Sequence, residues 1–301
     1  MRRSQRGDHR EEITELPTLQ SITTNETITS PSNPRVRTTL KLRDATTRRQ
    51  TGLTLIDGQR EIHRCLAAEK EIIEVFFDAD SFSSLSDREQ TDLISIVTQA
   101  SAQGASVTPL SSRPFSKIAF GNRNEGIVAV ARFRAESLTD FKPRSTSPIF
   151  LLEGIEKPGN LGAIFRTADA AGFGGVIICG QGTDASNPAV IRASLGTVFN
   201  VPIACDTSAA AIQWCENHQQ NIVAATPVGT TDWHAAEMAK QPAILLGSEA
   251  HGISTLWFDA AKNKKIALET VALPMLGLAD SLNVSATAAV LAYESVRQRN
   301  A

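Results

Sequence analysis

The chain has few of the features that mark membrane, secreted or metal-binding proteins. No run of about 18 apolar residues occurs along its 301 residues, so no membrane-spanning helix is expected. The N-terminal stretch MRRSQRGDHREE has no apolar core of a secretion signal, and we expect a cytoplasmic protein. His, Cys, Asp and Glu form no cluster, so we expect no metal. The four cysteines lack CxxC spacing, which favours reduced, mostly buried thiols (Cys65, Cys179, Cys205 and Cys215).

Global charge and nucleotide-binding signatures are missing as well. The formal net charge is −2, so no overall basic field indicates a nucleic-acid partner. Gly172 and Gly174 resemble the start of a dinucleotide fingerprint, but its third glycine would fall at Ile177. These glycines also precede a strand, whereas the fingerprint follows one, and no G-x-x-x-x-G-K-[ST] occurs. With 42% apolar and 21% charged residues, the composition is that of a globular protein.

Composition divides the chain into four parts. Residues 1–34 are rich in Arg, Glu, Thr and Ser and poor in large apolar residues, which predicts a disordered tail. Residues 35–134 alternate strand-like and helix-like segments and predict a small α/β domain. Residues 135–147 have the polar composition of a linker. Residues 148–301 predict a second α/β domain with a sharper alternation.

The first predicted domain begins with a basic run. We expect strands at LTLID, IIEVFFDAD and GIVAVARF, and helices over GQREIHRCLAAEK and about 84–103. Before them, six basic residues are accompanied by only one acid, Asp44. Such a run is either a solvated helix face or a phosphate-binding surface. Its members are Arg35, Arg37, Lys41, Arg43, Arg48 and Arg49.

In the second domain, short apolar runs alternate with helical segments. This pattern predicts a mostly parallel sheet covered by helices. The expected strands are 149–153, 176–180, 198–203, 221–227, 243–247 and 265–274, with a last helix over 283–299. Ligands of such sheets bind beyond the carboxyl ends of the strands. Three loops there are unusual, GIEKPGN, GSEAHGIS and PMLGLADSLN.

The segment EKPGNLGAIFRTADAAG predicts an unusual helix. From Leu161 onward its apolar residues recur with helical spacing and form a core-facing stripe. The opposite face carries small residues, Gly162, Ala163 and Ala170, with a lone Arg166. Small residues there allow a backbone or a ligand to approach closely. The alternative is a solvated face on which Arg166 pairs with the Asp one turn later.

Three motifs in these loops resemble the SpoU/TrmH family of the SPOUT superfamily, the knotted S-adenosylmethionine-dependent RNA ribose 2′-O-methyltransferases. The first is NLGAIFRTA from Asn160, the second is LGSEAHG from Leu246, and the third is LPM from Leu273 followed by SLNVS from Ser281. All three occur in order, with the spacing of that family, over about 150 residues.

The resemblance implies a fold and partners. Family members have a deep C-terminal trefoil knot formed by the second and third motif segments, although knots are rare in proteins. They bind S-adenosylmethionine inside it, and they are homodimers through the knotted domain. Residues 35–134 resemble the family's L30e-like α/β substrate-binding domain, which binds RNA. The implied fold class is therefore α/β, with a mostly parallel, helix-covered knotted domain after a small L30e-like domain.

The resemblance also implies site residues. The backbones of Gly247, Leu273 and Leu282 would bind the cofactor, although the two leucines would otherwise be assigned to the core. The implied catalytic residues are Arg166, Asn160, Glu249, Ser281 and Asn283. Each has a simpler alternative, since Asn160, Ser281 and Asn283 are typical helix N-caps and an exposed Glu is usually only solvated. By position, the resemblance implies that Arg166 deprotonates the ribose 2′-hydroxyl. A guanidinium is effectively always protonated, however, which favours phosphate binding and stabilisation of the developing alkoxide instead.

The RNA substrate is less directly indicated. A first domain with a basic entry resembles the arrangement in family members that modify ribosomal RNA, so we expect large-subunit ribosomal RNA, with transfer RNA as the alternative. The candidate RNA-binding residues are Arg35, Arg37, Arg43, Arg48 and Arg192. A non-catalytic knotted RNA-binding or assembly protein and a small-molecule α/β enzyme are the competing classes. His251, within the second motif, is a poor candidate for the base.

Overall fold

The computed structural model describes residues 19–23, 25–120 and 125–301. Residues 1–18 of the predicted tail lie outside the described residues. Residues 25–34 are ordered, which corrects the prediction for that part of the tail. Ile28 is only 9% exposed and pairs with Leu110, the last residue of a strand. Two buried apolar residues, Ile22 and Ile28, and a polar Asn33 cap therefore hold a segment whose average composition resembles disorder.

A four-stranded sheet follows this segment. Strand β4 lies centrally and antiparallel to both β1 and β2, while β2 and β3 are parallel, in the order β1-β4-β2-β3. Helices predicted from the apolar periodicity are present, and two short basic helices precede the first strand. The elements are α1 (Leu19–Ile22), α2 (Pro34–Lys41), α3 (Ala45–Thr51), β1 (Leu53–Asp57), α4 (Gln59–Ala67), β2 (Ile72–Asp78), α5 (Asp87–Ala102), β3 (Ser106–Leu110), α6 (Ser112–Ile118) and β4 (Ile127–Arg132).

The second sheet has seven strands in the order β7-β6-β5-β10-β8-β11-β9, and every pairing is parallel. This confirms an α/β fold with a parallel sheet. The elements are β5 (Ile149–Glu153), α7 (Pro158–Ala170), β6 (Gly175–Cys179), α8 (Pro188–Ala193), β7 (Ile203–Asp206), α9 (Ser208–Asn217), β8 (Asn221–Ala225), β9 (Thr231–Asp232), β10 (Ala243–Leu246), α10 (Thr255–Lys262), β11 (Ala267–Ala272) and α11 (Val284–Arg299).

One predicted strand is wrong. Residues 198–203 were expected to be extended, but Thr197–Phe199 form a 3-10 turn and β7 begins only at Ile203. Gly196 opens the turn with φ 81°, and Phe199 packs edge-on against Phe133 with ring centroids 4.8 Å apart. A short apolar run fits a buried helical turn as well as a strand, so its periodicity could not separate the two.

The segment between the two sheets contains no long helix or strand, but it is not a free linker. Leu138 and Phe141 are 8% and 5% exposed and pack into the second sheet's core. The backbone of Glu136 bridges to Ala204 at the end of the sheet. Further along, Thr54 Oγ1 of the first sheet donates to the Ser186 carbonyl at 2.6 Å. The two sheets therefore share a continuous packed interface.

Candidate active site

A cavity of about 730 Å³ lies beyond the carboxyl ends of β8, β10 and β11. Because these strands are parallel and adjacent, the loops that follow them meet at one edge of the sheet. Those loops carry the second and third sequence motifs. Predicted residues from both line the cavity, namely Gly247, Glu249, Leu273, Ser281, Leu282 and Asn283. The fold thus brings two distant motifs to one pocket, whose volume is within the usual range for cofactors.

The two leucines predicted to bind the cofactor differ in burial, and Leu273 still packs against the core. Leu282 is 42% exposed and Leu273 is half-buried, so the alternative assignment to simple core packing is wrong for Leu282. Leu276 and Leu278, on the same loop, are almost fully exposed. Large apolar side chains beside a cavity are typical of a surface that a ligand or partner covers.

Gly247 is required by the protein's own backbone. A Cβ atom added there would lie 2.2 Å from the carbonyl carbon of Gly252. Between them, the Ser248 amide donates to the Gly252 carbonyl at 3.1 Å and the Gly252 amide donates back to Ser248 at 3.0 Å. The second motif is therefore a tight loop closed on itself, and Gly247 is more than a turn glycine.

A buried carboxylate that the sequence analysis missed anchors this loop. Glu153, at the end of β5, is 7% exposed and accepts hydrogen bonds from the Ser254 amide at 2.7 Å and the Ser254 hydroxyl at 2.9 Å. The Ser208 hydroxyl donates to the same side chain. An acid at the end of an apolar strand was the available signal, because buried acids are rare unless they are paired.

All three motifs meet in one polar cluster. Glu249 Oε1 accepts a hydrogen bond from Asn160 Nδ2 at 2.8 Å and from Asn283 Nδ2 at 3.0 Å. Asn283 Nδ2 also approaches Asn160 Oδ1 at 3.1 Å. Lys157 Nζ forms an ion pair with Glu249 Oε2. The hydrogen bonds from Lys157 and Asn160 lower the pKa of Glu249, so the carboxylate is ionised at neutral pH.

Of the two asparagines that the sequence analysis considered as helix N-caps, only Asn283 caps a helix. Helix α7 begins at Pro158 and its N-cap is Lys157, so the prediction that Asn160 caps the helix is wrong. Pro fits the first helical position, where its missing N–H costs nothing. Asn283 does cap α11, since its Oδ1 accepts from the Ser285 amide at 2.9 Å while its Nδ2 joins the cluster. Ser281 is exposed at the cavity rim.

Lys157 lines a second cavity of about 240 Å³ beside the first. Asn160 and Glu249 line it as well, so the polar cluster separates the two spaces. The sequence analysis did not single out Lys157. The available signal was its position directly before Pro158, which starts α7, because a proline restricts the backbone of the residue before it.

Arg166 stands apart from this cluster. It is exposed and lines neither of the two cavities. Asp169, the alternative partner, instead accepts from Asn200. The close approach expected at the small residues is present at Gly162, where an added Cβ would lie 2.5 Å from Ala193 of the same chain. Gly162 therefore permits α7 to pack on α8, whereas Ala170 remains exposed.

The candidate RNA-binding arginines differ in accessibility. Arg48 is wrong as a surface contact, because it is 3% exposed and pairs with Asp184 at 2.7 Å across the two sheets. Its guanidinium also donates to two backbone carbonyls, at 2.8 and 3.0 Å. A buried charge needs such partners, which the sequence alone did not show. Arg37 and Arg43 are exposed, although Arg43 also donates to the Ala119 carbonyl at 2.8 Å.

Arg35 and Arg192 already have partners. Arg35 forms an ion pair with Glu74 and lies over the ring of Phe76. Arg192 Nη1 lies 3.5 Å from the carboxylate of Asp57 and donates to a backbone carbonyl at 3.0 Å. Burial raises the pKa of Asp57 to about 6, which the nearby Arg192 opposes by favouring the charged form.

Within the described residues, no group of three or more His, Cys, Asp or Glu side chains is arranged to hold a metal ion. In the same part of the chain, no helix combines the length and apolar character needed to cross a bilayer.

The fold and the site together define a class. A parallel sheet carries a cofactor-sized cavity at its carboxyl edge, with an asparagine–glutamate cluster beside it and an exposed arginine on the neighbouring helix. A family model described as the SpoU rRNA Methylase family matches residues 147–293, and one described as an MRM3-like substrate binding domain matches residues 33–129.

Known proteins agree with this assignment. The chain is 31% identical over 243 residues to the 23S rRNA (guanosine-2′-O-)-methyltransferase RlmB of Bordetella pertussis, covering 79% of this chain and 94% of that protein. It is 31% identical over 60% of its length to the 23S rRNA (uridine(2479)-2′-O)-methyltransferase of Streptomyces viridochromogenes, of which it spans 63%. An AdoMet-bound rRNA methyltransferase from Sinorhizobium meliloti superposes with a TM-score of 0.78 at 25% identity, over 90% of this chain and 97% of that one.

The chain belongs to the SpoU rRNA methylase family. The predicted family is thereby confirmed, and with it the predicted class of enzyme, an S-adenosylmethionine-dependent RNA methyltransferase. The cavity fits that cofactor in volume and in lining, since it offers apolar side chains such as Leu282 and strand-end backbone at Leu246 and Gly247.

Proposed function

We propose that this protein transfers a methyl group from S-adenosylmethionine to a ribose 2′-hydroxyl of large-subunit ribosomal RNA. The observation that carries this proposal is the meeting of all three motifs beside the cofactor cavity, through the hydrogen bonds of Glu249, which lines it, with Asn160 and Asn283. Relatives named as 23S rRNA 2′-O-methyltransferases support the choice of RNA.

The residues have separate tasks in this proposal. S-adenosylmethionine, when bound, supplies an electrophilic methyl group. The backbones of Gly247, Leu273 and Leu282 hold it in the cavity, and Ser281 lies at the rim. Asn160 and Asn283, fixed by Glu249, align the acceptor ribose with the methyl group. Alignment is the main gain available for an in-line displacement.

Neither Arg166 nor Glu249 is suited to act as the base. The guanidinium of Arg166 stays protonated, so it binds the phosphate beside the target ribose and stabilises the developing alkoxide. Glu249 is engaged by three donors, and its lowered pKa makes it a weak proton acceptor. In this proposal the proton of the 2′-hydroxyl passes to water or to a phosphate oxygen.

Transfer of labelled methyl groups tests the function directly. The purified protein is incubated with labelled S-adenosylmethionine and unmodified large-subunit ribosomal RNA, transfer RNA or no RNA. We expect label in ribosomal RNA only, at a ribose that becomes resistant to alkaline cleavage. Label in transfer RNA would favour the alternative substrate, and no label in any RNA would favour a non-catalytic binding protein.

We propose that residues 35–134 bind RNA through exposed basic side chains of α2 and of the turn after it. Replacing Arg37 and Arg43 together by Gln is expected to weaken RNA binding. The slope of log affinity against log salt concentration should fall by about two, one for each lost phosphate contact. Arg48→Gln is the contrasting variant. It removes the ion pair with Asp184, so it should lower the melting temperature instead.

Binding measured at two salt concentrations, together with thermal unfolding, checks this prediction. Equal salt dependence in the wild type and the double variant would make α2 a mere solvated face.

Our proposal includes a homodimer formed by the knotted domain, in the cytoplasm. Exposed residues of α7 and α11, among them Ala170 and Tyr293 at 53% exposure, support such an interface. Family membership supports the trefoil knot, and a crystal structure would show whether the C-terminal segment passes through a loop.

Ala170→Glu is expected to disrupt the dimer, because it would place a charge in a desolvated contact. Light scattering reads the mass directly. Arg88→Glu, at a side chain that is 91% exposed on the first sheet's helix, is the control and should remain dimeric. A dimeric Ala170→Glu protein would show that this face of α7 is ordinary surface.

A further inference from the structure

The cation nearest to the cofactor cavity is Lys157. It lines both the large cavity and the smaller one beside it, whereas no other Lys or Arg among the described residues lines either. Its side chain is 69% exposed, and Pro158 fixes its backbone at the start of α7. The ammonium group is therefore held at the boundary between the two cavities and remains open to solvent.

Glu249 does not depend on this lysine for its position. Two amide donors, from Asn160 and Asn283, hold Oε1 at 2.8 and 3.0 Å, while Lys157 contacts only Oε2. An exposed ion pair contributes little to stability. Lys157 can consequently exchange Glu249 for another anion while the carboxylate stays in place.

An RNA backbone supplies that anion. Each target ribose has a phosphate on both sides. Arg166 lines neither cavity, so its proposed contact with one phosphate leaves the other for a second cation. We propose that Lys157 is a second substrate-binding residue, which leaves Glu249 to bind a backbone phosphate of the target nucleotide at the smaller cavity. This proposal rests on the proposed function and adds a residue to its substrate contacts.

Lys157→Gln tests the proposal in the full chain. The variant is expected to raise the KM for ribosomal RNA about tenfold, which is the effect of losing one charged contact. The slope of log RNA affinity against log salt concentration should fall by about one. S-adenosylmethionine affinity, measured by calorimetry without RNA, should change less than about twofold because Glu249 stays anchored. Lys157→Arg should restore most of the RNA affinity.

Lys240→Gln is the matched control. Lys240 also forms an exposed ion pair, with Glu237, and its side chain is 65% exposed, but it lines neither cavity. An unchanged RNA affinity and salt dependence in Lys157→Gln would overturn the proposal. The same loss in Lys240→Gln, or an equal loss of cofactor affinity in Lys157→Gln, would overturn it as well.

Direct RNA binding separates this inference from the proposed function. A wild-type protein that binds ribosomal RNA without methylating it would contradict the proposed function alone. The comparison of Lys157→Gln with Lys240→Gln by binding would still decide whether the lysine contacts a phosphate.

Discussion

Arg166→Ala is expected to lower turnover by about 10² to 10³, the usual cost of losing one donor to a developing oxyanion. The side chain is exposed and lines neither cavity, so its removal should leave the cofactor pocket intact. S-adenosylmethionine affinity and the melting temperature should therefore hardly change. Arg166→Lys should also lose most activity, because an ammonium cannot reproduce the planar guanidinium fork.

Single-turnover methylation of ribosomal RNA, with calorimetry of cofactor binding, measures both effects. Arg88→Ala removes the same charge from a side chain that is 91% exposed on α5 and serves as the control. Normal turnover in Arg166→Ala would show that the outer face of α7 takes no part in the reaction.

Gly247→Ala is expected to lower S-adenosylmethionine affinity by about 10²-fold, equivalent to about 2.7 kcal/mol. The reason is internal to the protein, since the new Cβ would lie 2.2 Å from the Gly252 carbonyl carbon. Relief of that overlap must open the loop closed by Ser248 and Gly252, and this loop forms one wall of the cavity. Because the overlap already occurs at the Cβ atom, alanine should be enough to lower the cofactor affinity.

Gly277→Ala provides the control in the neighbouring loop. A Cβ at Gly277 would meet no atom within 4 Å, and its backbone φ is not among the positive values. Calorimetry should give wild-type cofactor affinity for this variant. Equal affinities for wild type and Gly247→Ala would show that the second motif can open without affecting the cavity.

The sequence was most informative where spacing carries a chemical requirement. Asn160, Glu249 and Asn283 were chosen from three separate motifs, and the structure places their side chains within hydrogen-bonding distance of one another. The apolar runs likewise predicted the parallel sheet, because buried strands of such sheets are continuous in apolar residues. The run at residues 198–203 failed because burial alone does not distinguish a strand from a helical turn.

The basic run shows what a one-dimensional pattern leaves open. Arg37, Arg43 and Arg48 look equivalent in sequence, yet only Arg48 points between the two sheets and pairs with Asp184. That partner lies 136 positions away. Charge patterning indicates how many cations a segment has, whereas their accessibility depends on what packs against each one.

By itself, the sequence determined the parallel sheet through its apolar periodicity. The resemblance of its three motifs to a known family indicated the family, the class of enzyme and the motif residues around the cavity. Only the tertiary structure decided that Lys157 adjoins the cluster, that Glu153 anchors the second motif loop and that Gly247 is needed against Gly252. The first two are contacts between segments at the carboxyl ends of neighbouring parallel strands, and the third is a close approach within one folded loop. The physical reason is that burial and pairing are properties of neighbours in space, which a chain order does not specify.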